Sequence, residues 1–354
     1  MIIPTQQTHI SSKVAVLAEH ISEHLSIFIV AEKTDAERPA NGGLRLLNYS
    51  SDDICIADGK RLAGLMTHKH DLYGTGFAGG KIVARAHKLE SIKEELISIT
   101  ACLLNSLKGA MITGCDLNTN LIDMEQLMIS TPYVLAAVGS PVDASAATAQ
   151  GTLGAIEAVL GADLHSVSPG RALVHGCGAV GNALARYLLA LGWSVFTIDI
   201  NSERAKIPGA IALPVDYSWW DIDVDLLLPC SISGLIDEKI ALALRVKAIV
   251  PAANAPFEQP ELADILRWRG IRVLPDPLVN AGAVIADSIE RFAPAAWKNA
   301  ESEEVYEFVR AKVRQRASLF LNQRNQGFSV NDALTKVAAQ PGGRPIGLSF
   351  GKGI

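Results

Sequence analysis

Cysteine is scarce. The 354 residues hold five, Cys55, Cys102, Cys115, Cys177 and Cys230, none in a CxxC pair. That spacing excludes a disulfide-stapled scaffold and points to reduced thiols, read as inert filler even where Cys177 sits in a glycine turn and Cys115 beside an acid. The first residues lack the basic-then-apolar order of a secretory leader, so a cytoplasmic location is expected. No uninterrupted apolar run approaches the length needed to span a bilayer. Charge is sparse too, at 19% Asp, Glu, Lys and Arg and a net −5, which leaves no basic footprint for nucleic acid. With membrane and nucleic acid set aside, the expected partners are small molecules or protein. There is no internal repeat and no low-complexity tract. What the chain has is apolar substance: 49% hydrophobic residues over a length beyond one comfortable core, hence two domains.

The most informative stretch is Arg171–Asn201, RALVHGCGAVGNALARYLLALGWSVFTIDIN. It reads as strand, tight turn, helix and a second strand ending in an acid. In Gly176-Cys177-Gly178-Ala179-Val180-Gly181 the first glycine permits the turn, the second admits a pyrophosphate and the third lets the helix press on the strand. The helix, read as Asn182–Leu191 and closed by Gly192, offers free N–H groups and its positive dipole end to phosphate. Asp199 lies where a carboxylate accepts ribose hydroxyls and repels an added 2′-phosphate, so NAD is the expected cofactor; Arg204 lies close enough to blur that preference.

Turn-forming residues in Val138–Ala147 mark a hinge. Upstream, β-type runs at Leu25–Val30 and Ile82–Ala84 mix with a helical stretch at Asp52–Leu65. Downstream, strands and helices alternate, with further buried strands at Ala248–Val250 and Ile271–Leu274. The expected architecture is α/β: an N-terminal α/β substrate-binding domain over 1–142, a doubly wound Rossmann domain binding NAD over 143–324, and a cleft between them. Helices at Glu303–Phe320 and Val330–Ala339 end the chain, with 325–354 returning to the first domain.

Two lysines stand in apolar or glycine-rich surroundings, Lys69 in MTHK and Lys81 in AGGK. Burial and a neighbouring cation both disfavour an ammonium, so one of the pair can be a neutral base while the other holds a carboxylate. Asp116, after the apolar MITGC, is a partner acid. His68 and His70 bracket Lys69 at i, i+2, do not share a helix face, and have no third ligand at metal spacing; no metal is expected. His175 reads as a buried strand end, and Trp219 with Trp220 as a surface or interface patch.

RPANGGLRLLNY, MTHKHDLYGTGFAGGK, ITGCDLNTNLIDM, the glycine turn and PDPLVNAGAV follow one another in this order. In this the chain resembles the Glu/Leu/Phe/Val amino acid dehydrogenases, most closely the leucine and phenylalanine branch, from about Arg38 to about Phe292. The resemblance implies that Lys69 holds the substrate α-carboxylate, Lys81 activates water and Asp116 moves a proton on the substrate amine. Gly42 and Gly43 line the carboxylate, and Met66, Gly114 and Val284 the substrate. Thr148 meets the nicotinamide carboxamide, while Asn254 and Asn280 stand near the nicotinamide ribose and the substrate. It implies reversible NAD-dependent oxidative deamination of an L-amino acid to the 2-oxo acid and ammonia, by a homodimer or larger homo-oligomer. The competing readings are another NAD oxidoreductase, such as a 2-hydroxy acid dehydrogenase needing an Arg/His pair, and a catalytically altered NAD-binding relative.

Two departures from the pattern bear on the substrate. Asn41 stands where the aliphatic enzymes carry leucine before the paired glycines, and Asp287 replaces an apolar residue three positions after Val284. A polar, basic or aromatic substrate side chain fits these better than a branched aliphatic one, because an unpaired carboxylate in such a pocket carries a desolvation penalty of roughly several kcal/mol. The other reading of Asp287 is a surface pair with Arg291 one turn later. Ala283 replaces the second glycine of the family's NAGGV.

Overall fold

A computed structural model describes residues 14–32, 34, 37–89, 91–135, 137–338 and 344–351. Ala339, the last residue of the expected final helix, lies outside them. The described chain divides into two units, one of 14–141, 287–299 and 344–351, the other of 142–286 and 300–338. It crosses from one to the other between Pro141 and Val142, within the turn-rich segment Val138–Ala147.

The first unit is built on strands β1 (Ala15–Ile21), β2 (Leu25–Ala31), β3 (Ala40–Asn41), β4 (Leu44–Leu47), β5 (Ala78–Ala86) and β6 (Met111–Ile112). Their order is β1-β2-β5-β3-β6, with β4 also on β5. β1, β2 and β5 pair antiparallel, whereas β3 and β4 run parallel to β5. β5 is buried along almost its whole length, which is why AGGKIVARA lacks the alternation of a half-exposed strand. Helices α1 (Asp52–Tyr73), α2 (Lys93–Ser106) and α3 (Leu121–Ser130) cover the sheet. α1 starts where the Ser51 hydroxyl accepts from Ile54 N and stops at Gly74, left-handed at φ 58°. It therefore runs eight residues beyond the expected end at Leu65, because buried Thr67, Lys69 and His70 interrupt its apolar spacing without breaking the helix.

The second unit opens with α4 (Ala144–Leu160) and continues through β7 (Arg171–His175), α5 (Ala179–Ala190), β8 (Ser194–Ile198), α6 (Ser202–Ala205), β9 (Ile211–Ala212), β10 (Val224–Pro229), α7 (Glu238–Ala243), β11 (Val246–Ile249), α8 (Leu262–Trp268), β12 (Arg272–Val273) and α9 (Asp276–Val279). The strands form one sheet in the order β12-β11-β10-β7-β8-β9, every pair parallel. That is the doubly wound order, and its ligand position is fixed at the carboxyl ends of the strands around the central β7. α10 (Gly282–Phe292) runs through the unit boundary and is followed by α11 (Pro294–Asn299), α12 (Ser302–Asn325) and α13 (Val330–Ala338). α13 does not join the first unit as expected. Ala333 and Val337 are buried, Arg316 of α12 donates to the Val337 carbonyl at 2.9 Å, and only 344–351 cluster with the first unit.

Trp219 is not a surface residue either; it is 4% exposed within the second unit's core, its ring 4.9 Å from that of His175. Among the described residues no helix is long and apolar enough to cross a membrane.

Candidate active site

Glycines bring the first unit's predicted residues together. On one face of β5, a Cβ on Gly79 would lie 2.3 Å from the Ala63 carbonyl oxygen and 2.2 Å from Thr67 Oγ1, so α1 seats there only because Gly79 has no side chain. A Cβ on Gly80 would meet Ala40 and Met111, and one on Gly42 would stand 1.9 Å from the Gly80 carbonyl oxygen. Gly43 is as tightly held against the Cys115 carbonyl and Asp116 Cβ. Asn41, Gly42, Gly43 and Gly114 therefore share one wall with Lys81 and Asp116. Lys69 is buried on α1, one turn after the half-buried Met66. The loop carrying Asp116 is fastened to β4: Thr119 donates from Oγ1 to Leu44 O at 2.7 Å, Asn118 donates to Leu46 O at 2.8 Å, and Asp116 N donates to Thr119 Oγ1 at 3.0 Å.

Lys81 Nζ lies 2.5 Å from Asp116 Oδ2. The same oxygen accepts from Arg45 Nε at 2.9 Å, with Arg45 Nη2 3.4 Å from Oδ1. Arg45 is anchored from behind by Asp58, at 3.2 Å from Nη1, and Asp58 also accepts from Tyr49 OH at 2.7 Å and from Arg61 at 2.8 Å. Arg45, Arg61, Asp58 and Asp116 already balance in charge, which leaves a protonated Lys81 as surplus in a buried cluster. Burial lowers the lysine's pKa most, the Asp116 carboxylate opposes this, and the guanidinium of Arg45 lowers it further. Against a burial penalty that favours its acid form, Asp116 is held well below the usual carboxylate range by Lys81 and Arg45. Arg45, Asp58 and Tyr49 escaped the sequence reading, since nothing in their spacing relates them; the signal present was an arginine two residues after the paired glycines in GGLR.

His70 is also more than filler. Its Nε2 lies 3.3 Å from the Asn41 carbonyl and Nδ1 2.7 Å from Thr75 Oγ1. A carbonyl can only accept, so Nε2 carries the proton and Nδ1 accepts from the threonine hydroxyl. Burial pushes its pKa down to about 3, in keeping with a neutral ring that fixes Asn41 in place. The two readings of Asp287 separate here: Arg291 is exposed and forms no ion pair with it, and the Asp287 carboxyl group, its pKa raised by burial and by Glu290, instead faces the Asn41 side-chain amide.

In the second unit the predicted nucleotide residues gather at the carboxyl ends of β7, β8, β10 and β11. Gly176 has φ 96°, and a Cβ there would collide with Ser231. A Cβ on Gly181 would stand 1.9 Å from the Gly176 carbonyl oxygen, while one on Gly178 would meet nothing within 4 Å. The first and third glycines thus close the turn, and the second leaves open space at the start of α5. That helix begins at Ala179, three residues before the expected Asn182, with Gly178 as an N-cap that supplies no side-chain acceptor. Cys177 is buried, and Ala179 and Val180 open the helix. Asp199, buried at the end of β8, accepts from Cys177 N at 2.7 Å and Asn201 N at 2.8 Å. Asn280 Nδ2 donates to Asn254 Oδ1 at 3.0 Å and lies 3.2 Å from the Ala252 carbonyl, while its own buried Oδ1 has no partner. Thr148 joins this group, since a Cβ on Gly282 would lie 2.6 Å from Thr148 N; Val284 is buried in the first turn of α10. An unscreened helix N-terminus, an open cradle at Gly178, a fixed carboxylate at Asp199 and an orphaned buried acceptor at Asn280 fit a dinucleotide.

Comparison with known proteins identifies the family. The family model described as "Glu/Leu/Phe/Val dehydrogenase, dimerisation domain" matches residues 8–133, and "Glutamate/Leucine/Phenylalanine/Valine dehydrogenase" matches 199–340. Phenylalanine dehydrogenase of Lysinibacillus sphaericus is 30% identical over 271 residues, 72% of this chain and 71% of that one. Leucine dehydrogenase of Geobacillus stearothermophilus is 31% identical over 70% of each chain. The crystal structure of L-tryptophan dehydrogenase from Nostoc punctiforme is similar at a TM-score of 0.72, covering 92% of this chain and 93% of that one at 25% identity. With both family models matched and relatives at this identity over two thirds of their length, the chain belongs to the Glu/Leu/Phe/Val dehydrogenase family, on its leucine/phenylalanine branch, and is an amino acid dehydrogenase, an oxidoreductase acting on CH–NH2 donors.

Proposed function

We propose that this enzyme catalyses the reversible oxidative deamination of an L-amino acid with NAD, giving the 2-oxo acid, ammonia and NADH, and that the substrate side chain is polar, basic or aromatic. The observation carrying the chemistry is the buried 2.5 Å contact between Lys81 and Asp116. NAD, when bound, takes the hydride from the substrate Cα. It is held by the Gly176–Gly181 turn with Cys177, Gly178, Ala179 and Val180, by Asp199, and by Thr148, Asn254 and Asn280. Asp199, already fixed by two backbone N–H groups, supplies negative charge where a 2′-phosphate would otherwise sit, which supports NAD over NADP.

Lys69 holds the α-carboxylate against the Gly42–Gly43 backbone. Asp116 takes a proton from the substrate ammonium, so that the free amine can stabilise the carbocation left by hydride loss as an iminium. Neutral Lys81 then removes a proton from water, whose oxygen attacks the iminium carbon to give a carbinolamine; Asp116 returns its proton to the nitrogen, and as the C–N bond breaks and ammonia leaves, the hydroxyl oxygen becomes the 2-oxo group and gives its proton back to the Asp116 carboxylate. Arg45 serves both partners, keeping Asp116 ionised in the resting enzyme and lowering the proton affinity of Lys81. The 8–133 match to a "dimerisation domain" supports a homo-oligomer assembled through the first unit. The test is a panel of amino acids and 2-hydroxy acids with NAD, following NADH and ammonia together. One ammonia per NADH from an amino acid is expected; NADH formed only from 2-hydroxy acids, with no ammonia, would replace this reading.

A further inference from the structure

The wall that carries Lys81 and Asp116 also holds a group of acceptors that the surrounding donors satisfy only in part. Asn41 is 2% exposed, and its Oδ1 is buried without a hydrogen-bond partner. His70 fixes its backbone from one side, and its amide group meets the Asp287 carboxylate from the other. Glu290 follows Asp287 by one turn of α10, close enough for its charge to be felt there. Ala137 N donates to Glu290 at 3.2 Å. Among the described residues no arginine or lysine pairs with either carboxyl group, although ion pairs form elsewhere in the same unit, as between Arg45 and Asp58 and between Lys93 and Asp123.

Burial, and then the neighbouring Glu290, raise the Asp287 pKa, so an ionised Asp287 beside the empty Asn41 acceptor is unfavourable unless something brings N–H groups to it. A leucine or phenylalanine side chain brings none. We propose that the substrate of this enzyme is an amino acid whose side chain carries an N–H donor, received by Asp287 and the Asn41 Oδ1, with Glu290 behind them. This rests on the amino acid dehydrogenase reading above and narrows its substrate. Two kinds of side chain share the chemistry: a neutral indole, and a cation such as an ammonium or guanidinium.

The test compares each donor with an isostere lacking it, using the full-length enzyme and saturating NAD. Tryptophan is set against 1-methyltryptophan, and lysine and arginine against norleucine, with leucine and phenylalanine as references. A drop in kcat/KM of about 100-fold or more on removing the N–H is expected for the preferred substrate, the scale of discrimination when a site built for a hydrogen bond loses its partner. Loss in the tryptophan arm identifies an indole, and loss in the lysine or arginine arm identifies a cation. Asp287→Leu should abolish the discrimination and raise turnover of norleucine or leucine. Asp287→Asn, which keeps an acceptor and removes the charge, should spare an indole and lose a cation. An active enzyme that prefers leucine or phenylalanine, or treats each donor and its isostere alike, overturns this proposal and leaves oxidative deamination standing. Failure to release ammonia from any amino acid overturns both.

Discussion

Arg45→Met is the most revealing single change, because Arg45 contacts no expected substrate group and acts through Asp116. Its Nε and the Lys81 Nζ reach the same carboxylate oxygen, at 2.9 and 2.5 Å. The two cations are thus held within about 5 Å of each other, which at an effective dielectric near 20 costs a protonated Lys81 about 3 kcal/mol. That is about two pH units of lowered proton affinity. In the proposed mechanism Lys81 works as a base only when neutral, so activity is expected above its pKa and lost as pH falls through it. Removing Arg45 raises that pKa and moves the acid limb of kcat/KM up by about one to two units. At neutral pH the variant is correspondingly about 10- to 100-fold slower. It also leaves Asp58 and Asp116 short of a buried partner, so a stability loss of about 3 kcal/mol accompanies the shift and must be checked by circular dichroism at the assay temperature. Arg45→Lys keeps the charge and loses the two-point grip, and restores most of the profile while recovering less of the stability. A folded Arg45→Met enzyme whose pH profile superimposes on the wild type refutes the coupling.

Other outcomes follow from single contacts. Burial raises the Glu290 carboxyl to about 7, so the folded state holds a proton that the unfolded chain releases near 4.5; stability is full below about 4.5 and falls as pH rises to about 7. Glu290→Gln should therefore stabilise the protein at pH 8, by up to about 3 kcal/mol in denaturant titrations, and have little effect at pH 4. Gly178→Ala places a methyl in open space and should leave the melting temperature unchanged while weakening NAD binding in calorimetry; Gly181→Ala, driven against the Gly176 carbonyl, should unfold or strongly destabilise the chain.

The turn Gly176–Gly181 was readable from sequence because each glycine's constraint is local, and the parallel sheet because its strands are continuous apolar runs. The register of α5 was not, since its N-cap is itself one of the motif glycines and resembles no Ser, Thr, Asp or Asn cap. β3 and β6, two residues each, are too short to show any period, yet they carry Asn41 and lead to Asp116. The full span of α1 was hidden because Thr67, Lys69 and His70 are polar residues turned inward. The Arg45–Asp58–Tyr49 support behind the lysine depends on contacts across folded elements and left no mark in spacing. Trp219 was misplaced for a related reason: its burial comes from packing on His175 and the second unit's core.

The central claim is that Lys81 is the base and does not hold the nucleotide. Its most direct measure is Lys81→Met, assayed for ammonia-linked NADH formation alongside NAD affinity. Turnover lost by a factor of about 100 or more, with the NAD dissociation constant within about twofold of wild type, is the expected result. Turnover near the wild-type rate, or a loss explained wholly by weakened NAD binding, would contradict it.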